Sequence, residues 1–111
     1  SVSSISSLQN ATELEVLYAY GTNISDLSPL QGLTKLEKLD LFDCRIADIS
    51  ALQGLSGLRE LFLGNNRIAD ISALQNLTAL EKLGLENNQI RDMRALEHLE
   101  NLTYLDLDGN E

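Results

Sequence analysis

The 111-residue sequence has few of the residues that define several functional classes. Its single cysteine cannot close a disulfide within the chain, which excludes a disulfide-stapled scaffold. Eight lysines and arginines against seventeen acids give a net charge of −9, which argues against binding nucleic acid or an anionic membrane surface. No apolar run approaches the ~20 residues that cross a bilayer. We therefore predict no nucleic-acid partner and no membrane insertion.

Leucine is abundant, with 24 residues, and it recurs at a fixed interval. Leu33, Leu55, Leu77 and Leu99 lie 22 residues apart, and with Leu33 as position 1 apolar residues recur at positions 1, 4, 7, 9, 14, 17 and 20. The period divides the chain into full units 11–32, 33–54, 55–76 and 77–98, with partial units 1–10 and 99–111. Such repeats stack around one shared core, so we predict one domain over 1–111.

Two spacings within each unit predict its local structure. Positions 7 and 9, such as Leu61 and Leu63, alternate with residues expected to be exposed, which indicates a β-strand. Positions 14, 17 and 20 are spaced by three, which is typical of a 3₁₀ turn. The turn segment is too short for a stable α-helix. Each unit is thus expected to contribute one short strand and one tight turn.

Residues at the same position of successive repeats form a column, and two columns of mainly polar residues follow the 22-residue period. Position 16 is aspartate, which we expect to accept backbone N–H groups and cap the turn: Asp26, Asp48, Asp70 and Asp92. Position 12 holds Thr22, Cys44, Asn66, Asn88 and Asn110. A buried asparagine there can pair the loop backbone of its own unit and of the next. Cys44 is interpreted as a small buried residue in that column, with a reactive thiol as the minor alternative.

The segment from Leu58 to Ile68 matches the leucine-rich repeat consensus L-x-x-L-x-L-x-x-N-x-I, and so does Leu80 to Ile90. The short period resembles the class that includes bacterial internalins and the phosphatase-regulatory leucine-rich repeat proteins. The turn sequence from Ile24 to Leu36 is more similar to the internalins. The resemblance implies an α/β repeat fold, a right-handed solenoid with a parallel β-sheet on the concave face and 3₁₀ or short helical turns on the convex face. It also implies protein binding.

Strand positions 6, 8 and 10 point away from the core, and they form the surface we call the concave face. All five aromatic residues of the chain fall among these fifteen places. Exposed aromatic clusters usually mark binding surfaces, although strand propensity alone is the alternative explanation. We predict ten partner-binding residues on this face: Tyr18, Tyr20, Phe42, Phe62, Tyr104, Lys38, Asp40, Glu60, Glu86 and Asp106.

The last strand, near Leu105 and Leu107, is expected to present an unpaired edge. That edge suggests a fragment of a longer array, or ends covered by other chains. Ser1 and Glu111 both fall at position 13, so copies stacked head to tail would stay nearly in phase. We therefore predict possible head-to-tail self-association.

Residues for catalysis or metal binding do not converge. Cys44 and the one histidine, His98, lie about 10 Å apart along the stack, which is too far for a catalytic pair. The segment from Asp106 to Asn110 resembles part of a calcium loop, but its glycine stands at the wrong place. We predict no enzyme, no cofactor and no metal site.

Three functions agree with these features. The first is a bacterial surface or secreted internalin-like recognition module. The second is an intracellular, cytoplasmic scaffold that regulates an enzyme such as a phosphatase. The third is an engineered array without a natural ligand. The resemblance to internalins favours the first, and the identity of the partner stays open.

Overall fold

The computed structural model describes residues 5–110 as five short strands that alternate with five 3₁₀ turns. The strands are β1 (Val16–Tyr18), β2 (Lys38–Asp40), β3 (Glu60–Phe62), β4 (Lys82–Gly84) and β5 (Tyr104–Asp106). The turns cover Ser6–Leu8, Ser28–Leu30, Ser50–Leu52, Ser72–Leu74 and Arg94–Leu96. This alternation follows the two apolar spacings of the repeat. Within the described residues, no helix has the length and apolar character needed to cross a membrane.

The strands form one parallel sheet in chain order, because each strand pairs with the equivalent strand of the next repeat. The register is the same at every step, so Leu17 lies opposite Leu39 and Leu39 lies opposite Leu61. Each chain segment returns through a 3₁₀ turn on the far side of the core before it adds the next strand. The predicted leucine-rich repeat solenoid is confirmed.

A single core lies between the sheet and the turns. Leu55, Leu58, Leu61 and Leu63 of the central repeat have no exposed surface. Burying one such side chain contributes roughly 1.5–3 kcal/mol, so the central repeats supply most of the stabilisation. Burial weakens towards the edges of the sheet, where Leu17 is half-buried and Leu105 is 41% exposed.

The position 12 asparagines join neighbouring repeats through buried hydrogen bonds. Asn66 Oδ1 accepts the N–H groups of Cys44 and Ile46, each at 2.9 Å. Its Nδ2 donates to the carbonyl oxygens of Leu41 at 3.0 Å and Leu63 at 2.9 Å. The expectation of bonds to the following repeat was wrong, because the amide reaches back to the preceding one. The same direction is seen for the other two asparagines of the column, Asn88 and Asn110.

Cys44 is fully buried, as predicted, and it reproduces only half of the asparagine pattern. Its one S–H is shared between the carbonyl oxygens of Ala19 at 3.2 Å and Phe42 at 3.5 Å. A thiol offers no counterpart to the amide oxygen that accepts the Ile46 N–H from Asn66. Among residues 5–110, the equivalent N–H of Ile24 has no protein acceptor, although Ile24 is only 1% exposed. The asparagine ladder is therefore incomplete between the first two full repeats.

The position 16 aspartates hold the entry to each 3₁₀ turn. Each Oδ1 accepts the backbone N–H two residues later at 2.9–3.0 Å, as in Asp48 with Ser50. The aspartate stands one residue before the N-cap, so it closes a local turn from just outside the 3₁₀ segment. The predicted acceptance of a backbone N–H by each carboxylate is confirmed, but the aspartate is not itself the N-cap residue, which is Ile49 in the repeat of Asp48.

These hydrogen bonds lower the pKa of all four aspartates, since they stabilise the charged form. The largest effect is at Asp92, where the Arg94 side chain and then the Arg94 backbone N–H lower the pKa from 3.8 to about 2. Because the pKa is lower in the folded state, the stabilisation from these hydrogen bonds is complete at a pH above the pKa of the unfolded state. It is lost as the pH falls through the folded value.

We expect Cys44→Asn to increase the free energy of unfolding by about 1 kcal/mol, because the new amide oxygen would accept the Ile24 N–H. The measurement is urea unfolding followed by circular dichroism. Cys44→Ala is the control, since it removes the thiol without adding an acceptor and should not stabilise. Equal unfolding midpoints for Cys44→Asn and the wild type would contradict this account of the incomplete ladder.

We expect the wild type to lose stability as the pH falls from 3.8 through about 2, the range between the unfolded and folded pKa of Asp92. The combined variant Asp48→Asn, Asp70→Asn and Asp92→Asn keeps an oxygen acceptor at each turn but cannot be protonated. Its free energy of unfolding should fall less over the same range in urea titrations. Identical losses in the two proteins would show that these carboxylates do not carry the acid sensitivity.

Candidate functional site

The concave face carries the exposed aromatic side chains. The strands alternate, so their leucines enter the core while the residues at positions 6, 8 and 10 face outward. Tyr18 and Tyr20 are more than 60% exposed, Tyr104 is 47% exposed and Phe42 is 37% exposed. Phe62 is half-buried. Large exposed rings on one side of a small protein make a surface suited to a partner.

Five of the ten predicted residues line one shallow depression of about 350 Å³, which we call the aromatic hollow: Tyr20, Asp40, Phe42, Phe62 and Glu86. These residues come from four consecutive repeats, so the fixed register alone brings them together. Three rings and two carboxylates therefore meet at one place on the concave face.

Two glycines make room for the aromatic hollow. Gly64 stands at position 10 beside Phe42 in the preceding repeat, and Gly84 stands at position 8 beside Phe62. The carboxyl group of Glu86 lies over Gly64, where a Cβ would overlap it. A Cβ on Gly84 would come within 3.1 Å of Glu86 Oε1 and 3.3 Å of Phe62 Cδ1. The missing side chains let Glu86 fold down onto the sheet.

Glu86 is the unusual residue of this face. Its Oε1 is buried and has no hydrogen-bond partner, the one such side-chain oxygen or nitrogen found within residues 5–110. A carboxylate oxygen removed from water without a donor is costly, and the described residues supply no donor to Glu86 Oε1. The other carboxylate of the aromatic hollow differs, because Asp40 Oδ1 accepts the Phe42 N–H at 3.1 Å.

The remaining predicted residues lie outside the aromatic hollow. Lys38 and Glu60 face each other across β2 and β3, with Nζ and Oε2 3.8 Å apart. Tyr18 lies on β1 and lines a neighbouring depression together with Leu17 and Tyr20, and Tyr20 also lines the aromatic hollow.

Tyr104 and Asp106 lie on β5, at the far edge of the sheet. Partial desolvation raises the pKa of the Tyr104 phenol, and the carboxylates of Asp106 and Glu86 add to the effect. Asp106 Oδ1 also accepts the Asp108 N–H at 3.0 Å, as Asp40 does for Phe42. The aspartates of position 8 thus have a local structural role at the end of their strands.

The sequence analysis assigned no role to Gly64 and Gly84, although both are needed to shape the aromatic hollow. A signal was present, since they are the two glycines among the fifteen outward positions and both adjoin aromatic residues in the columns. Tyr18 does not line the aromatic hollow itself, but it shares a neighbouring depression with Tyr20, which lines both.

Catalytic and metal-binding groups do not converge in the described part of the chain. No group of three or more His, Cys, Asp or Glu side chains within residues 5–110 is arranged to hold a metal ion. His98 is exposed on the turn side, with Nε2 3.5 Å from Glu97 Oε1. Cys44 is buried in the asparagine column.

Solved structures of several bacterial proteins are similar to the chain. Internalin C2 of Listeria monocytogenes aligns over 96% of the chain with 36% identity and a TM-score of 0.94. The internalin InlF of the same species aligns over 99% with 32% identity and a TM-score of 0.80. A leucine-rich repeat protein of Leptospira interrogans aligns over 95% with 28% identity and a TM-score of 0.87. The chain spans 47%, 39% and 28% of these three structures, respectively.

The repeats also match a family model directly. The model describes two copies of a leucine-rich repeat, and it matches residues 12–54, 34–76, 56–98 and 78–111. No curated protein matches the chain significantly by sequence. The matched segments overlap by one repeat and together run from residue 12 to the last residue. The chain therefore belongs to the leucine-rich repeat family, and its repeats resemble those of the Listeria internalins.

Proposed function

We propose that the chain is a recognition module that binds a protein ligand on its concave face and performs no catalysis. The observation that carries the proposal is the aromatic hollow, where Tyr20, Phe42 and Phe62 face outward around an unpaired buried carboxylate oxygen. Aromatic residues are enriched at the centres of protein interfaces, where their rings bury a large area. Leucine-rich repeat domains of this kind are typically binding modules.

The proposed setting is a bacterial surface or secreted protein of the internalin type. The support is the similarity to two Listeria internalins, each more than 30% identical over nearly the whole chain. The acidic charge of the concave face supports a partner with basic residues around its contact, because opposite charges raise the association rate. The alternative of an intracellular enzyme-regulating scaffold would place the same face against a cytosolic protein.

A second interaction surface is proposed at β5, where another copy of the chain would stack head to tail. Leu105 is 41% exposed there, while its equivalents Leu39, Leu61 and Leu83 are buried. Exposed edge strands readily pair with a further strand, which would cover this leucine.

To test the concave face, the chain is immobilised and used to capture binding partners. Cell-surface and cytosolic fractions of eukaryotic cells are applied separately. We expect Tyr20→Ala combined with Phe42→Ala to weaken capture of the wild-type partner by at least about tenfold, since central aromatic residues dominate interface affinity. A partner in the surface fraction supports the internalin-type role, and a partner in the cytosolic fraction supports the scaffold alternative.

The matched control carries Gln53→Ala and Gln75→Ala, two exposed residues that end 3₁₀ turns on the opposite side. It should capture the same partner as the wild type. Both variants are compared by thermal unfolding, so that a loss of fold is not mistaken for a loss of binding. Capture that survives the aromatic variant, or that requires the two glutamines, would overturn the concave assignment.

The proposal for β5 predicts concentration-dependent self-association, measured by sedimentation velocity. Leu105→Lys should abolish it, because a charge would replace the apolar contact at the edge. Arg94→Ala, an exposed change on a turn, should leave it unaffected. A wild-type monomer at millimolar concentration would contradict the stacking of copies.

A further inference from the structure

We propose that the aromatic hollow binds the basic side chain of a residue, arginine or lysine, that the protein partner presents. This inference rests on the proposed function, because it names the chemistry that the concave face recognises. Four observations carry it: a buried carboxylate oxygen without a donor, aromatic walls, a second carboxylate and the absence of a competing cation from this chain.

The unpaired oxygen defines what the occupant must supply. Glu86 Oε1 is buried among the described residues without any hydrogen-bond donor. Its carboxyl group lies against the sheet, because Gly64 and Gly84 have no side chains to occupy that space. A buried carboxylate is stabilised by a donor, and a charged donor contributes the most. The donor that would stabilise Glu86 Oε1 best is therefore an N–H group that carries positive charge.

The walls of the aromatic hollow suit the same occupant. Tyr20, Phe42 and Phe62 line the depression, and cations bind over aromatic faces when they lie within ~6 Å of the ring. Asp40 adds a second carboxylate at the rim, and one of its oxygens is already engaged by the Phe42 N–H. An apolar side chain would pack against the rings but would leave Glu86 Oε1 without a donor and the charge of Asp40 without a cation.

No basic side chain of the described residues lines the aromatic hollow, and two that lie near it pair with acids. Lys38 pairs with Glu60 at 3.8 Å, and Arg59 pairs with Glu81 at 3.1 Å. Neither of these cations lines the aromatic hollow. The outward positions of the strands hold five acids and two lysines, so the face attracts a cation from outside. Arginine fits best, since its flat guanidinium stacks on rings and offers several donors.

The experiment is a heteronuclear NMR titration of the full chain with Nα-acetyl-arginine methylamide. The lysine analogue is titrated to compare the two cations, and the citrulline analogue is the neutral control with nearly the same shape as arginine. We expect saturable shifts confined to residues of the aromatic hollow. The citrulline analogue should bind at least about tenfold more weakly, because it lacks the charge.

Glu86→Gln keeps the shape of the side chain and removes its charge. It should lower the affinity for the arginine analogue about tenfold and reduce the preference over citrulline. Asp108→Asn is the matched control, because Asp108 stands in the same column outside the aromatic hollow. It should change the affinity less than about twofold, through long-range charge alone.

Equal affinity for the arginine and citrulline analogues, shifts spread over other surfaces, no saturable shifts, or no effect of Glu86→Gln would each overturn the inference. The capture experiment separates this failure from failure of the proposed function. If capture of the partner requires Tyr20 and Phe42 but tolerates Glu86→Gln, binding on the concave face stands. The inference that the aromatic hollow binds a basic side chain is then overturned. A partner that tolerates all three changes would overturn both.

Discussion

Burial of each leucine by the repeat next to it is the interaction on which the structure depends. A single 22-residue unit has an apolar strand and an apolar turn with nothing of its own to cover them. In-register stacking places Leu39, Leu61 and Leu83 side by side and removes them from water. The same register aligns the outward columns. The constraint that stabilises the protein thus also decides which side chains meet on its concave face.

Most of the fold was predictable, because each repeat carries the same apolar spacing. The alternation of Leu61 and Leu63 gave the strand, and the three-residue spacing gave the 3₁₀ turn. The aspartates of position 16 lie where their local bonds to the turn require them. Each of these features depends on residues close in sequence, and the period then places every copy in the same relation to its neighbours.

The features that were missed depend on contacts between repeats that differ from one another. Nothing in a single column shows that Asn66 bonds to the preceding repeat and not to the following one. The burial of Glu86 Oε1 follows from two glycines at different positions of two repeats, so the columns read one by one do not show it. Those columns did place Tyr20, Phe42 and Phe62 on one face.

The concave columns lie apart from the leucines and asparagines that hold the solenoid together, and this separation affects how the protein can change. Side chains at positions 6, 8 and 10 can be exchanged with little effect on the core. Asp40 and Asp106 are exceptions, since each bonds its own backbone. Point mutations can therefore alter ligand preference while the scaffold is conserved. Descendants of one ancestral array could diverge in specificity without passing through poorly folded intermediates.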